Sequence, residues 1–162
     1  MKKLLSVILT FAIMACGTFA LVGCSKQQTK IFDVVFITDG GTINDGAYNQ
    51  SAWNGVEEFS KSSDMTCRYY QPSVDEDGVL DTDTVGKYIK LAVDSQAKYI
   101  VMQGEKMAVV VDKFAPQYSD VDFLLVDAYP HEENSDTADT FENVMTVSFD
   151  KLQAGYLAGY TS

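Results

Sequence analysis

Asp33-Val34-Val35-Phe36-Ile37-Thr38-Asp39-Gly40-Gly41 is the stretch on which the fold turns. A compact apolar run rich in β-branched and aromatic residues halts at Asp-Gly-Gly, so it is a short buried strand followed by a turn. The period then changes. Between Asp45 and Ser60, Tyr48, Ala52, Val56 and Phe59 recur at helical spacing, which predicts a helix over 45–60. Outward from this unit the alternation continues. Residues 66–71 are β-branched and aromatic and stop at Pro72, a second strand. Val85, Tyr88, Ile89, Ala92 and Val93 form a helical stripe within residues 82–94. Residues 98–102 read as a strand ending before Gly104, and Met107, Val110, Val111 and Phe114 as a helix stopped near Pro116. Residues 122–126 and 143–149 read as strands, and 152–160 as an apolar helical segment whose Leu157 and Tyr160 are candidates for cover by a further lobe. Strands separated by helices imply an α/β fold, a parallel sheet with helices on both faces. In such sheets ligands sit beyond the C-terminal strand ends, here Asp39-Gly40-Gly41, Gln103-Gly104 and Asp127-Ala128.

Charge narrows the chemistry. The 162 residues carry 12 basic and 23 acidic side chains and a formal charge of −11. Affinity for phosphate backbones comes from Lys and Arg, so nucleic acid is disfavoured as a partner. The single histidine, His131, rules out sites needing two His ligands and sits in an acidic loop with no assigned role. Asp75-Glu76-Asp77-Gly78 has the look of a calcium loop, but Ser73 and Thr84 stand where the first and twelfth ligands belong. It reads instead as a solvated loop that caps the next helix.

The N-terminus is an address. Met1-Lys2-Lys3 precedes an uncharged, mostly apolar run to Gly23, the layout of an export signal. Leu21-Val22-Gly23-Cys24 resembles the lipobox of bacterial lipoproteins, in which the cysteine is lipidated and becomes the new N-terminus. Residues 1–23 are thus expected to be a signal peptide, 24–30 a polar tether and 31–162 the folded body. Cleavage removes Lys2 and Lys3 and leaves the body still more acidic, so attachment to an anionic membrane falls to the lipid on Cys24. Cys67 is then the one free thiol of the folded part, and an internal disulfide has no partner for it.

Two known families share features with residues 36–54. Gly40-Gly41-Thr42-Ile43 looks like the nucleophile loop of bacterial-type asparaginases. Asp39 stands where that family has threonine, and Asp81-Thr82-Asp83-Thr84 lacks the His-Gly of its second motif. An amidohydrolase is therefore the weakest of three readings. Thr38-Asp39-Gly40-Gly41-Thr42-Ile43-Asn44-Asp45-Gly46-Ala47-Tyr48-Asn49-Gln50, with Trp53 and Gly55, resembles the opening of the basic membrane protein (BMP) family. These are lipid-anchored substrate-binding proteins of ABC importers, related to purine nucleoside receptor lipoproteins. Phe149 and Gln153-Ala154-Gly155-Tyr156-Leu157-Ala158-Gly159 are similar to that family's later signature. Ala47 and Tyr48 replace its usual Ser and Phe.

The resemblance implies the first lobe of a type I periplasmic-binding-protein-like fold, with a second lobe missing from this chain. It implies a lipoprotein at the extracytoplasmic face of the cell membrane that passes a purine nucleoside to permease subunits. No enzyme activity, cofactor or metal is implied. A surface lipoprotein that senses the same ligand and signals to a membrane partner is the runner-up. Tyr48 is the stacking wall carried over from the family, although its helical stripe equally suits a core aromatic. Asp45 and Asn49 offer acceptor and mixed donor–acceptor groups, with a helix cap as the plainer role of Asp45. Asp39 contacts ligand or holds the turn through neighbouring N–H groups. Gly104 admits close approach of backbone or simply makes a turn. Asp127 is a ribose acceptor or a cap.

Overall fold

All four residues of β1 (Val34–Ile37) are buried, which for alternating side chains requires cover on both faces of the strand. The computed structural model describes residues 30–161 and supplies that cover. β1 pairs in parallel with β2 (Cys67–Tyr70) on one side and with β3 (Tyr99–Gln103) on the other. β4 (Asp122–Val126) and β5 (Val144–Val147) extend the sheet beyond β3. The order is β2-β1-β3-β4-β5, and every pairing is parallel.

The odd and even positions feed two cores. Val35, Ile37, Ile100, Met102, Phe123 and Leu125 face a cluster completed by Val85, Ile89 and Ala92 of α2 (Thr82–Asp94) and Val110 and Val111 of α3 (Ala108–Phe114). Val34, Phe36 and Val101 face α1 (Tyr48–Ser62), where Val56 is buried and Trp53 lies against Phe36 with ring centroids 6.5 Å apart. Helices thus lie on both faces, as the alternation of periods predicts.

The start of the first helix differs from the sequence reading, for a local reason. The first helix starts at Tyr48, because Asp45 spends its carboxylate on the helix N–H groups from outside the helix. The acidic loop ends in Asp81, whose side chain accepts the Thr84 N–H at 2.7 Å and caps α2, the role expected of it. β4 and β5 are joined by residues 127–143 without a helix. That connection packs through buried Ala128 and Pro130 and is fixed at its far end by Asn143. Asn143 Nδ2 lies 3.0, 3.2 and 3.0 Å from the carbonyls of Ala115, Tyr118 and Val121.

α4 (Lys151–Thr161) follows β5 and is exposed from Lys151 to Tyr160. Among the described residues no helix is long and apolar enough to cross a membrane.

The Asn143 clasp generates a test. Asn143→Asp keeps the shape but sets a carboxylate against three carbonyl oxygens, costing about 1–3 kcal/mol. The melting temperature at pH 7 is expected to fall by about 5 °C or more. An unchanged melt would show that the clasp does not hold the connection.

Candidate functional site

β1 connects leftward to β2 and β3 connects rightward to β4, so the chain reverses its winding between these two neighbours. The crevice at such a switch point is where parallel sheets bind ligands, because backbone N–H groups and helix starts converge there without a crossing connection. Every ligand-site residue expected from the sequence lies on this edge. Asp39 follows β1, Gly104 follows β3, Asp127 follows β4, and Asp45, Tyr48 and Asn49 surround the start of α1.

Asn49 is the hub. It is 4% exposed, so each of its amide groups needs a partner. Its Nδ2 donates to Asp39 Oδ1 at 3.0 Å and to Asp45 Oδ2 at 3.2 Å. Its Oδ1 accepts from Gln103 Nε2 at 3.3 Å. Asp39 Oδ1 also accepts the Gly41 N–H at 3.1 Å, so Asp39 holds the turn, one of its two expected roles. One amide thereby ties together the loop after β1, the start of α1 and the end of β3.

Asp45 carries the cap of α1. Its Oδ1 accepts the N–H groups of Ala47 and Gln50 at 2.8 and 3.1 Å, and its Oδ2 accepts that of Asn49 at 2.9 Å. Gln50 Oε1 reaches back to accept the Gly46 N–H at 2.9 Å, tying the loop before α1 to its first turn. The Ala47 and Asn49 backbone donors hold the Asp45 carboxyl down at about 2, below its ordinary 3.8.

Tyr48 stands at the mouth. It is 41% exposed, and its hydroxyl donates to Asp127 Oδ2 at 3.4 Å. Partial burial, and then the neighbouring Asp127 charge, push its phenol up from 10.0. Gly104 lies under the ring with φ +86° and ψ 164°, a conformation essentially reserved for glycine. A Cβ there would stand 3.5 Å from the Tyr48 ring edge and hydroxyl, an ordinary contact, so it is the backbone conformation that calls for glycine. Asp127 is itself left-handed, with φ +64°. Lys151 Nζ lies 3.1 Å from Asp127 Oδ1, within ion-pair range though not aligned as a hydrogen bond, and 3.4 Å from the Asp127 carbonyl.

Sequence reasoning missed Gln103 and Lys151. Gln103 is 2% exposed at the end of a buried strand, and a polar residue closing an apolar run was the available signal. Lys151 carried no local signal, since it reaches Asp127 only through the pairing of β4 with β5. Thr42, the threonine of the asparaginase-like loop, accepts the Asn44 N–H at 3.3 Å and so shapes its own turn. Cys24 and the signal lie outside the described residues.

A five-stranded parallel sheet with helices on both faces is an α/β lobe of the periplasmic-binding-protein type of fold. The family described as Bmp, ABC transporter substrate-binding protein PnrA-like, matches residues 32–162, and the chain belongs to it. A CD4+ T-cell-stimulating antigen of Listeria monocytogenes is 28% identical over 96% of this chain and 42% of its own length. An uncharacterized lipoprotein of Pyrococcus furiosus is 26% identical over 98% of this chain and 37% of its own. The chain thus spans about two-fifths of the length of these curated relatives. In fold it is similar to an ABC transporter system solute-binding protein of Aeropyrum pernix, with a TM-score of 0.63 and 20% identity over 78% of this chain and 30% of that one.

The Asp45 cap makes an acid-limb prediction. A depressed carboxyl contributes stability that is full above its ordinary 3.8 and is lost as pH falls through about 2. Circular dichroism is expected to show helix loss in that window for the native chain. Asp45→Asn is expected to be less stable at pH 7 and to lack this acid component. Identical acid limbs for both proteins would contradict the capping role.

Proposed function

We propose that this chain supplies one wall of the ligand cleft in an ABC importer's substrate-binding protein, and that the ligand is a purine nucleoside. Tyr48 carries the reading: its ring stays half-exposed between Gly104 and Asp127, while Val56 on the same helix is buried against the sheet. A flat base stacks on such a ring, which is worth about 1–3 kcal/mol per base. Asp39 and Asp127 add acceptor oxygens beside it, suited to ribose hydroxyls and ring N–H donors. The cationic Lys151 at this edge is paired with Asp127, so the surroundings favour an uncharged, donor-rich ligand over a phosphorylated one.

In this reading residues 1–23 are a cleaved export signal, 24–30 a tether and 31–162 the lobe. Lipid on Cys24 holds the protein at the outer face of the cell membrane, beside the permease that receives the ligand. The lipoprotein description of the Pyrococcus relative supports the anchor. Membership in a substrate-binding family supports delivery over catalysis. Closure of a second wall over the ligand is the expected mode of capture.

Titration of the chain with inosine or guanosine, followed by NMR, tests the stacking role. Tyr48→Ala is expected to raise the dissociation constant about tenfold, with the ligand-free melting temperature nearly unchanged. Unchanged affinity would remove Tyr48 from the site.

A further inference from the structure

His131, the chain's single histidine, lies on the connection between β4 and β5 and faces the turn that follows β3. Its Nε2 stands 3.0 Å from Glu105 Oε1 and its Nδ1 2.8 Å from the Glu132 carbonyl. Both partners are acceptors, a carboxylate and a carbonyl. A neutral imidazole has a single N–H, so one of the two contacts would set a ring lone pair against an oxygen. The imidazolium donates to both, and the geometry fits that form of the ring. The surroundings also suit a cation. Asp112 on α3 adds its charge to that of Glu105, and Glu132 and Asp139 on the connection stand beside Asp112 in turn. Lys113, the cation next along α3, is committed to Asp83 at 2.7 Å. The Glu132 carbonyl, and after it Glu105, hold the ring above its ordinary 6.5, against the opposing effect of burial.

This contact reaches both sides of the strand-end edge. Glu105 directly follows Gly104, whose turn lies under Tyr48, and His131 comes four residues after Asp127. The chain between Asp127 and His131 is well held: Ala128 and Pro130 are buried, and the Pro130 carbonyl accepts the Asp139 N–H at 2.7 Å. The His131 side chain is only 19% exposed, which shelters its ion pair from part of the screening that weakens surface pairs. We propose that protonated His131 is a positioning residue: it clasps the connection to the turn after β3, fixing Asp127 and Gly104 together, and the clasp opens when the ring loses its proton. The sign is set by linkage. A group held above its ordinary value in the folded state adds stability that is full below 6.5 and is lost as pH rises through the folded value. Ligand affinity then falls as pH rises, although His131 touches no ligand; this consequence rests on the reading of the edge as the ligand site.

Amide hydrogen exchange of the full chain without ligand tests the clasp. The Gly104 and Asp127 N–H groups donate to the carbonyls of Val126 and Val147 at 2.8 and 2.6 Å, so their protection reports on the edge. Corrected for intrinsic rates, that protection is expected to fall about threefold from about pH 6 to about pH 8.5 in the native chain, and to stay level in His131→Gln. NMR titration of the His131 ring is expected to place its pKa above 6.5, and closer to 6.5 in Glu105→Gln. Protection that changes equally in the native chain and His131→Gln, or a ring unmoved by Glu105→Gln, would overturn the proposal. Inosine affinity over the same span is expected to weaken about threefold in the native chain and to hold steady in His131→Gln. Inosine binding to neither protein would overturn the nucleoside reading alone, because the exchange result decides the clasp without ligand.

Discussion

The side-chain amide of Asn49 is the interaction on which the rest of the site depends. A buried amide carries two N–H donors and a carbonyl, and each of these groups costs about 1–3 kcal/mol if left unpaired. Here the donors go to Asp39 and Asp45 and the carbonyl to Gln103. Satisfying that one residue fixes the loop after β1, the first turn of α1 and the end of β3 relative to one another. Tyr48, one residue before Asn49, is thereby aimed across Gly104 toward Asp127. The ring's position is a consequence of the buried network beneath it, and the network can form only because β1 and β3 are adjacent in the sheet.

The strands and helices were legible because their signals are local. β1 and β3 are continuous apolar runs, and the stripes of α1 and α2 repeat at helical spacing. The strand-end site was legible for a related reason, since parallel topology confines ligands to one edge and Asp, Gly and Asn cluster there. The start of α1 was misread because Asp45 is in phase with the helix but acts from outside it. Periodicity does not distinguish a capping residue from a helical one. The Lys151–Asp127 pair and the Asn143 clasp were illegible because each joins residues about 20 to 30 positions apart through the sheet. The helix-less connection of residues 127–143 carries no periodic pattern to read.

The apolar character of α4 and the acidic character of the body express one division of labour. Asp39, Asp45 and Asp127 stand at the switch-point edge, and the exposed apolar side chains Leu152, Tyr156 and Tyr160 lie along α4. Lys151 stands at the junction, first residue of α4 and ion-pair partner of Asp127.

The central claim is that the switch-point edge binds the ligand. Backbone amide chemical shifts of the chain, recorded while guanosine is added, address it most directly, because weak binding suffices for the measurement. The account expects the largest shifts at Gly41, Tyr48, Asn49, Gly104 and Asp127, with α2 and the N-terminal ends of the strands unmoved. Shifts concentrated between α1 and β4, or on α2, with the strand-end loops silent, would contradict it.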